Sequence, residues 1–392
     1  MLHMKRIAIV GAGFVGLRVA RLLAKHAENR FTVVLIDKKD RFLFTPWLID
    51  MLAGKMPLEQ ITASIPTIAK RDGFIFIKGE VHDINRKEKT FTIHAEGTQK
   101  MTYDKLVLAH GADTCYYGIP GAKEHTLPLK SIGDAKRAQE SLLHLMREAE
   151  QTADSKERAR LLTLAVVGGG PSGIEAIFSI KNFIQKKQTD GTIDPTLSLR
   201  YHLIQAAPQI LPGFSQTAVN IANRELDNHS IQTYTSEAVI KIEKNTIYTV
   251  SGKMIPAHFI LWTAGIEACP INIDPNVEIV KGYPTVDNYL RLDDSIFCAG
   301  DISNLKTKGV HVPKTAQVAM EMAEVVAANI LKEDAGARLR PFHAETKGTI
   351  ITLGKTGFVD LFHTLAFETP LANKLRRAFY RFRFKQMTGL DS

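Results

Sequence analysis

Three glycines and an acid near the N-terminus carry the first chemical signal. In Gly11-Ala12-Gly13-Phe14-Val15-Gly16 the glycines have separate physical jobs. Gly11 serves a tight turn, Gly13 lets the backbone approach a pyrophosphate, and Gly16 lets a helix pack closely on a strand. Phosphate oxygens would sit on the unpaired N–H groups at a helix start, where the dipole favours negative charge. Asp37, twenty-one residues after Gly16, is placed to accept hydrogen bonds from a ribose 2′-OH. The spacing returns in Gly168-Gly169-Gly170-Pro171-Ser172-Gly173, with Gly168, Gly170 and Gly173 in the same order. There the partner position is Gln205. A neutral amide removes the repulsion an acid exerts on a 2′-phosphate without supplying an arginine, so NADPH is expected to be tolerated beside NADH. One such motif is a weak signal, but two in the same context predict a chain that binds two dinucleotides.

Each motif needs a strand, a turn and a helix to position it. Ile7 to Val10 form an apolar run, and the period then becomes helical through Leu17, Ala20 and Leu23 before a second run, Val33 to Ile36. The second unit repeats this with Leu161 to Val167, a helix from Ile174, and Tyr201 to Ile204. Three further buried strands run into glycine turns: Tyr103 to Ala112 through Ala109 and Gly111, Phe259 to Gly265 through Ala264, and Ser295 to Asp301. Parallel strands with such ends deliver their loops to a ligand crevice. At the last of them Asp301 can accept from a ribityl hydroxyl while Gly300 lets the backbone come close. The fold class expected is α/β, with two Rossmann-like dinucleotide-binding domains and a small C-terminal segment.

At 392 residues the chain can bury a sizeable core and form two domains or more. The first strand begins within five residues, which leaves no room for a signal peptide, and no apolar run approaches the roughly 20 residues of a membrane span. A soluble or peripheral cytoplasmic protein is expected. The net charge of +9 suits an anionic membrane surface or anionic cofactors. No zinc finger, ribonucleoprotein or helix-turn-helix signature accompanies it, so nucleic acid is not expected. Cys115, Cys269 and Cys298 are scattered, without CxxC spacing, and predict neither a disulfide framework nor a metal site. Ser172 does not read as a hydrolase nucleophile, because GxSxG needs glycine where Ile174 stands. His110, in a glycine turn, reads as a structural residue.

Between these landmarks, Phe42-Leu43-Phe44-Thr45-Pro46-Trp47 reads as an ordered loop packed on something flat, with core packing as the alternative. Phe74 to Ile77 and Phe91 to His94 read as strands of a small antiparallel insertion, and Ser131 to Arg158 as a polar helix. Pro313 to Ala323 starts a helix beside Asp301, with Gln317 and Glu321 on one face. Lys347 to Gly354 is strand-like. From Leu371 a helical stripe of Leu371, Leu375, Ala378, Phe379 and Phe382 is surrounded by Lys374, Arg376, Arg377, Arg381, Arg383 and Lys385. Such a helix can lie in a membrane interface with its bases on anionic headgroups, or pack a domain or a dimer.

Over nearly its whole length the chain resembles the two-dinucleotide flavoprotein reductases, and most closely the type II NADH dehydrogenase family of NADH:quinone oxidoreductases. The resemblance is carried by the Phe-Leu-Phe-Thr-Pro loop, GGGPSGIE, Ile-Leu-Pro at 210–212, Trp-Thr-Ala-Gly, the Ala-Gly-Asp strand end and Thr-Ala-Gln-x-Ala. It implies an FAD domain of residues 1–125 and 285–345, an NAD(P)H domain of residues 126–284, and a membrane-contacting segment of residues 346–392. It implies that Gly11, Gly13, Gly16, Asp37, Gly111 and Asp301 bind FAD, and that Gly168, Gly170, Gly173, Glu175 and Gly265 serve the nicotinamide nucleotide. Phe14, Val15, Lys38, Ala109, Gln205, Ala264, Gly300 and Ala319 complete the expected cofactor set. Hydride would pass from NADH to flavin and two electrons to a quinone, with Gln317 at the quinone ring. Glu175 would orient the nicotinamide or relay a proton, a structural carboxylate being the alternative. Glu321 stands where the family has a second glutamine and Gln205 where it has an acid, which touches quinone identity and coenzyme choice. A peripheral position on the inner face of the cell membrane follows, and a homodimer is compatible with it. The nearest rivals are a sulfide:quinone reductase, for which only Cys298 could approach the flavin, and a non-enzymatic redox sensor.

Overall fold

A computed structural model of the chain describes residues 4–26, 30–273, 277–307, 309–344 and 348–390. Lys347, expected to open a strand, lies outside them. In chain order the elements that matter are β1 (Lys5–Val10), α1 (Phe14–Lys25), β2 (Phe31–Asp37), β3 (Ile75–Lys78), β4 (Lys105–Leu108), β5 (Leu127–Pro128) and α2 (Ile132–Gln151). There follow β6 (Thr163–Val167), α3 (Pro171–Thr189), β7 (Arg200–Ile204), β8 (Ile231–Tyr234), β9 (Phe259–Trp262), β10 (Ile296–Cys298) and α4 (Ala316–Asp334). The C-terminal segment holds β11 (Thr349–Leu353), β12 (Thr356–Leu361), β13 (Leu365–Glu368) and α5 (Ala372–Thr388).

Two five-stranded parallel sheets result, in the orders β10-β4-β1-β2-β3 and β5-β9-β6-β7-β8. Their central strands are buried on both faces, which is why they read as unbroken apolar runs. Each sheet has a three-stranded antiparallel excursion, formed by residues 80–102 in the first and 239–256 in the second. The expected pairing of Phe74–Ile77 with that excursion is corrected here. Ile75–Lys78 instead runs parallel to β2, Val34 facing Ile75 and Asp37 facing Lys78, because long-range pairing and not local period sets a strand's direction. The polar helix expected over 131–158 is divided into α2 and a short helix, Ser155–Leu161, that is capped by Asp154.

The chain then joins the two sheets through a short ladder past their strand ends. Ala112–Thr114, just past Gly111, pairs antiparallel with Ile266–Ala268, just past Gly265. Gly111 and Gly265, the strand-end glycines of the two sheets, thereby stand at opposite ends of one short ladder.

The C-terminal segment is the second joint. Phe42, Phe44 and Trp47 are fully buried, and their partners are Tyr380 and Phe384 of α5, with ring centroids 5.2–6.5 Å apart. The aromatic loop is thus core packing. Arg376 of α5 is buried as well, which corrects its expected place on a lipid-facing surface. Its Nη2 donates to Asp50 at 2.8 Å, and its Nη1 lies 3.2 Å from Glu175 of α3. Burial alone would depress its pKa, and the two carboxylates more than reverse this. Removing one partner of a buried pair leaves an uncompensated charge, so Arg376→Met is expected to cost about 3–5 kcal/mol in denaturant unfolding. A loss below about 1 kcal/mol would show that the pair carries no such weight.

Candidate active site

The two glycine turns are built alike. Gly11 and Gly168 have φ of +97° and +112°, values that side chains rarely tolerate. A Cβ on Gly11 would stand 2.5 Å from the Ala109 carbonyl oxygen, and one on Gly168 would stand 2.8 Å from Thr263 Oγ1. A Cβ on Gly16 would meet the Gly11 oxygen at 1.8 Å and one on Gly173 the Gly168 oxygen at 1.7 Å. Nothing lies within 4 Å of the space a Cβ would take on Gly13 or Gly170. Turn, close packing and open approach are therefore divided among the glycines as their spacing predicts.

The helices behind these turns are open at the N-terminus. α1 and α3 begin on the N-cap glycines Gly13 and Gly170, with no side-chain cap and no acid in the first turn. α2 and α4, by contrast, are capped by Ser131 and Thr315. Uncapped N–H groups facing a bare glycine make two anion cradles, which fits the pyrophosphates of two dinucleotides.

Beside each cradle the partner side chain makes the same bond. Asp37 Oδ2 accepts from the Ala12 N–H at 2.7 Å, and Gln205 Oε1 accepts from the Gly169 N–H at 3.0 Å. Asp37 Oδ1 also accepts from the Lys39 N–H. Lys38 lies outside this network, exposed and facing Glu80 at 3.4 Å. Among the described residues the Gln205 amide reaches only the Gln209 carbonyl oxygen, at 3.5 Å, and its donor side carries no negative charge toward a ribose.

Four of the expected cofactor residues, Val15, Gly300, Asp301 and Ala319, meet at the start of α4. Val15 crowds Gly300, whose Cβ would stand 2.8 Å from it, while Gly300, Asp301 and Ala319 share a cavity wall at the start of α4. Phe14 stands edge-on to Phe42 and Phe44. Gln317 and Glu321 are adjacent turns of α4, with Gln317 Nε2 3.3 Å from Glu321 Oε1. Glu175 is drawn to the C-terminal segment. Its Oε1 accepts from the Thr352 N–H at 2.9 Å and from Thr352 Oγ1 at 2.7 Å, and the same oxygen faces Arg376. Among the described residues no hydrogen bond is made to Oε2.

Sequence reasoning missed four residues here. Tyr117 donates its hydroxyl to the Ala264 carbonyl at 3.0 Å and fills the space where a Cβ on Gly265 would stand. Tyr283 donates to the Ile266 carbonyl, Lys314 lines the cavity with Asp301, and Asp50 pairs with Arg376. None lies in a motif, so only the folded arrangement shows them. His110, given no role, is half-buried beside the Cys269 carbonyl, and desolvation pushes its pKa down to about 4. Among the described residues no cluster is suited to a metal ion.

The thiols decide between related chemistries. All three are free, and Cys298 is wholly buried, its pKa pushed up to about 12 by that burial. Thiolate chemistry needs the opposite environment.

The chain matches the family model described as pyridine nucleotide-disulphide oxidoreductase over residues 5–323. It belongs to that family. Among curated relatives, a type II NADH:quinone oxidoreductase of Staphylococcus aureus is 27% identical over 380 residues, covering 94% of this chain and 92% of that one. The structure resembles NDH2 from Plasmodium falciparum in complex with NADH, with a TM-score of 0.85 at 18% identity over 98% of each chain. It also resembles the sulfide:quinone oxidoreductase of Aquifex aeolicus, with a TM-score of 0.79 at 18% identity, covering 98% and 92%. The fold is therefore common to both kinds of quinone reductase, and the side chains must tell them apart. Because the Gly16 and Gly173 contacts fall below 2 Å, Gly16→Ala is expected to yield protein without bound flavin. Gly173→Ala should stay yellow and lose NADH binding. The flavin absorbance per polypeptide and the Kd for NADH measure the two losses.

Proposed function

We propose that the chain is an FAD-dependent NAD(P)H:quinone oxidoreductase of the type II NADH dehydrogenase kind. One observation carries this: the chain holds two matched dinucleotide cradles, one at the end of each parallel sheet, and its cysteines offer no redox pair. FAD held there would supply the two-electron chemistry between NADH and a quinone. Gly11, Gly13, Gly16, Asp37, Gly111 and Asp301 hold the FAD. Gly168, Gly170, Gly173, Gln205, Ala264 and Gly265 hold the nicotinamide nucleotide. Gln317 and Glu321 border the acceptor. Glu175, its Oε1 fixed by Thr352 and Arg376, would orient the nicotinamide. The burial of Cys298 argues against the sulfide:quinone alternative, since sulfur relay requires a reachable thiolate.

The purified protein is expected to be yellow and to turn over NADH with menadione. A flavoprotein that binds NADH without turnover would instead be a sensor. NADPH should be used with kcat/KM within about a thousandfold of NADH, roughly 4 kcal/mol of transition-state binding. Gln205→Glu should widen that gap by about tenfold or more while sparing NADH. An unchanged ratio would remove Gln205 from coenzyme choice.

Attachment to the inner face of the cell membrane is supported by the outer surface of the C-terminal segment. No described helix is long and apolar enough to cross a membrane. Leu371, Leu375, Phe379 and Phe382 are exposed on α5, as are Phe362, Leu365 and Phe367 around β13, with Lys374, Arg377 and Arg381 among them. Apolar side chains ringed by bases suit an anionic bilayer. Deleting residues 371–392 would also delete Arg376, so point changes make the cleaner test. Leu375→Glu with Phe382→Glu should abolish cosedimentation with phosphatidylglycerol vesicles and leave the fold intact by circular dichroism. Equal sedimentation of this double variant would refute the lipid contact.

A further inference from the structure

Tyr117 reaches the strand end of the second sheet although the chain delivers it from the end of the first. It follows the ladder strand Ala112–Thr114, in a turn that the Ile119 N–H closes on the Tyr116 carbonyl oxygen at 3.0 Å. The two central residues of that turn, Tyr117 and Gly118, have φ of +54° and +66°. Turns with both central residues in the left-handed region favour glycine, asparagine or aspartate there, and a bulky aromatic side chain is an outlier. That strain has one visible result. The ring is carried across to the second sheet, where its hydroxyl donates to the Ala264 carbonyl oxygen at 3.0 Å and stands 2.0 Å from where a Cβ on Gly265 would be.

That strand end packs on the second dinucleotide cradle. A Cβ on Gly168, the turn glycine, would stand 2.9 Å from the Ala264 nitrogen, and Thr263 Oγ1 donates to the Val167 carbonyl oxygen at 2.9 Å. Ala264 and Gly265 therefore lie beside the turn that leads into α3. A second phenol caps the next carbonyl along, Tyr283 donating to Ile266 at 2.7 Å, with Lys314 Nζ set over its ring at 3.6 Å from the centroid. Tyr117 is held more lightly. It is 63% exposed, and among the described residues its hydroxyl bonds to Ala264 alone. An exposed ring on a single hydrogen bond changes rotamer quickly, and such a bond shifts an equilibrium by a factor of about five.

We infer that Tyr117 competes with the nicotinamide end of the coenzyme for Ala264 and Gly265. The phenol holds the Ala264 carbonyl in the present arrangement, and a carboxamide N–H takes that carbonyl over as the ring turns outward. The assignment rests on the function proposed above, in which Ala264 and Gly265 hold the nicotinamide nucleotide. The exchange is donor for donor, so the Ala264 oxygen stays paired on both sides of it. A side chain that must leave lowers the apparent affinity by the fraction of time it is already out. It does so for reduced and oxidised coenzyme alike, which keeps the oxidised product weakly bound.

The test is isothermal titration calorimetry of the oxidised holoprotein with NAD+, and with ADP-ribose, which keeps the adenosine and pyrophosphate and lacks the nicotinamide. The unaltered chain is compared with Tyr117→Phe, which keeps the ring without its hydroxyl, and with Tyr117→Gly, which removes both and suits the positive φ. The Kd for NAD+ should fall about fivefold in Tyr117→Phe and at least as far in Tyr117→Gly. The Kd for ADP-ribose should stay within about twofold in both. Unchanged or weaker NAD+ binding in the two variants would overturn the inference, since the ring would then be a bystander or a cover that stacks on the bound coenzyme. An equal gain for ADP-ribose would overturn it too, by placing the effect away from the nicotinamide. An unaltered holoprotein that binds neither compound would overturn the nucleotide role of the second cradle, and with it both the proposed function and this inference.

Discussion

A single guanidinium, that of Arg376, holds three parts of this molecule in register. It lies between Asp50, which follows the aromatic loop of the first sheet, and Glu175, in the helix that starts at the second glycine turn. Taking these ions out of water is costly, and the geometry repays it only because two carboxylates converge on one planar group beside the half-buried Tyr380. Lys55, pulled up by Asp50 and pushed down by burial, brings the local charge toward balance. The C-terminal helix is consequently a strut between the domains. Its inner face carries Ala372, Arg376, Phe384 and Met387, and its outer face is left to whatever covers Leu375 and Phe382.

What was legible in the sequence was local. The glycine turns could be read because a positive φ and a Cβ-free contact are demanded by neighbours within a few residues, or by a strand whose own pattern is clear. Asp37 and Gln205 could be read because they end strands that start from those turns. The strand Ile75–Lys78 was misjudged in direction because a short apolar run has the same period in parallel and antiparallel sheets. Arg376 was hidden by company: six basic residues crowd its helix, and only the second stripe of Tyr380, Phe384 and Met387 hinted that one of them turns inward. Tyr117 and Lys314 lie in loops, where what a side chain meets depends on the far domain or on the start of a distant helix.

The crevice itself depends on backbone more than on side chains. Two edge segments, Ala112–Thr114 and Ile266–Ala268, pair across the domains and bring the ends of both sheets together. Few acid–base groups are needed once two cofactors are held this way, because the electrons move between the cofactors and the protein supplies position and charge. That division explains why so much of the site is glycine and why its charged residues sit at the margin.

The matched bonds of Asp37 and Gln205 carry an evolutionary consequence. Both close the turn by accepting one backbone N–H through a side-chain oxygen, so a glutamate would close the second turn as well as a glutamine does. Codons for glutamine and glutamate differ at their first base. Under the coenzyme role proposed for Gln205, a single mutation can therefore shift the preferred pool of reducing equivalents and leave the turn's backbone bond in place. The chain's metabolic allegiance is free to follow the habitat while its architecture stays put.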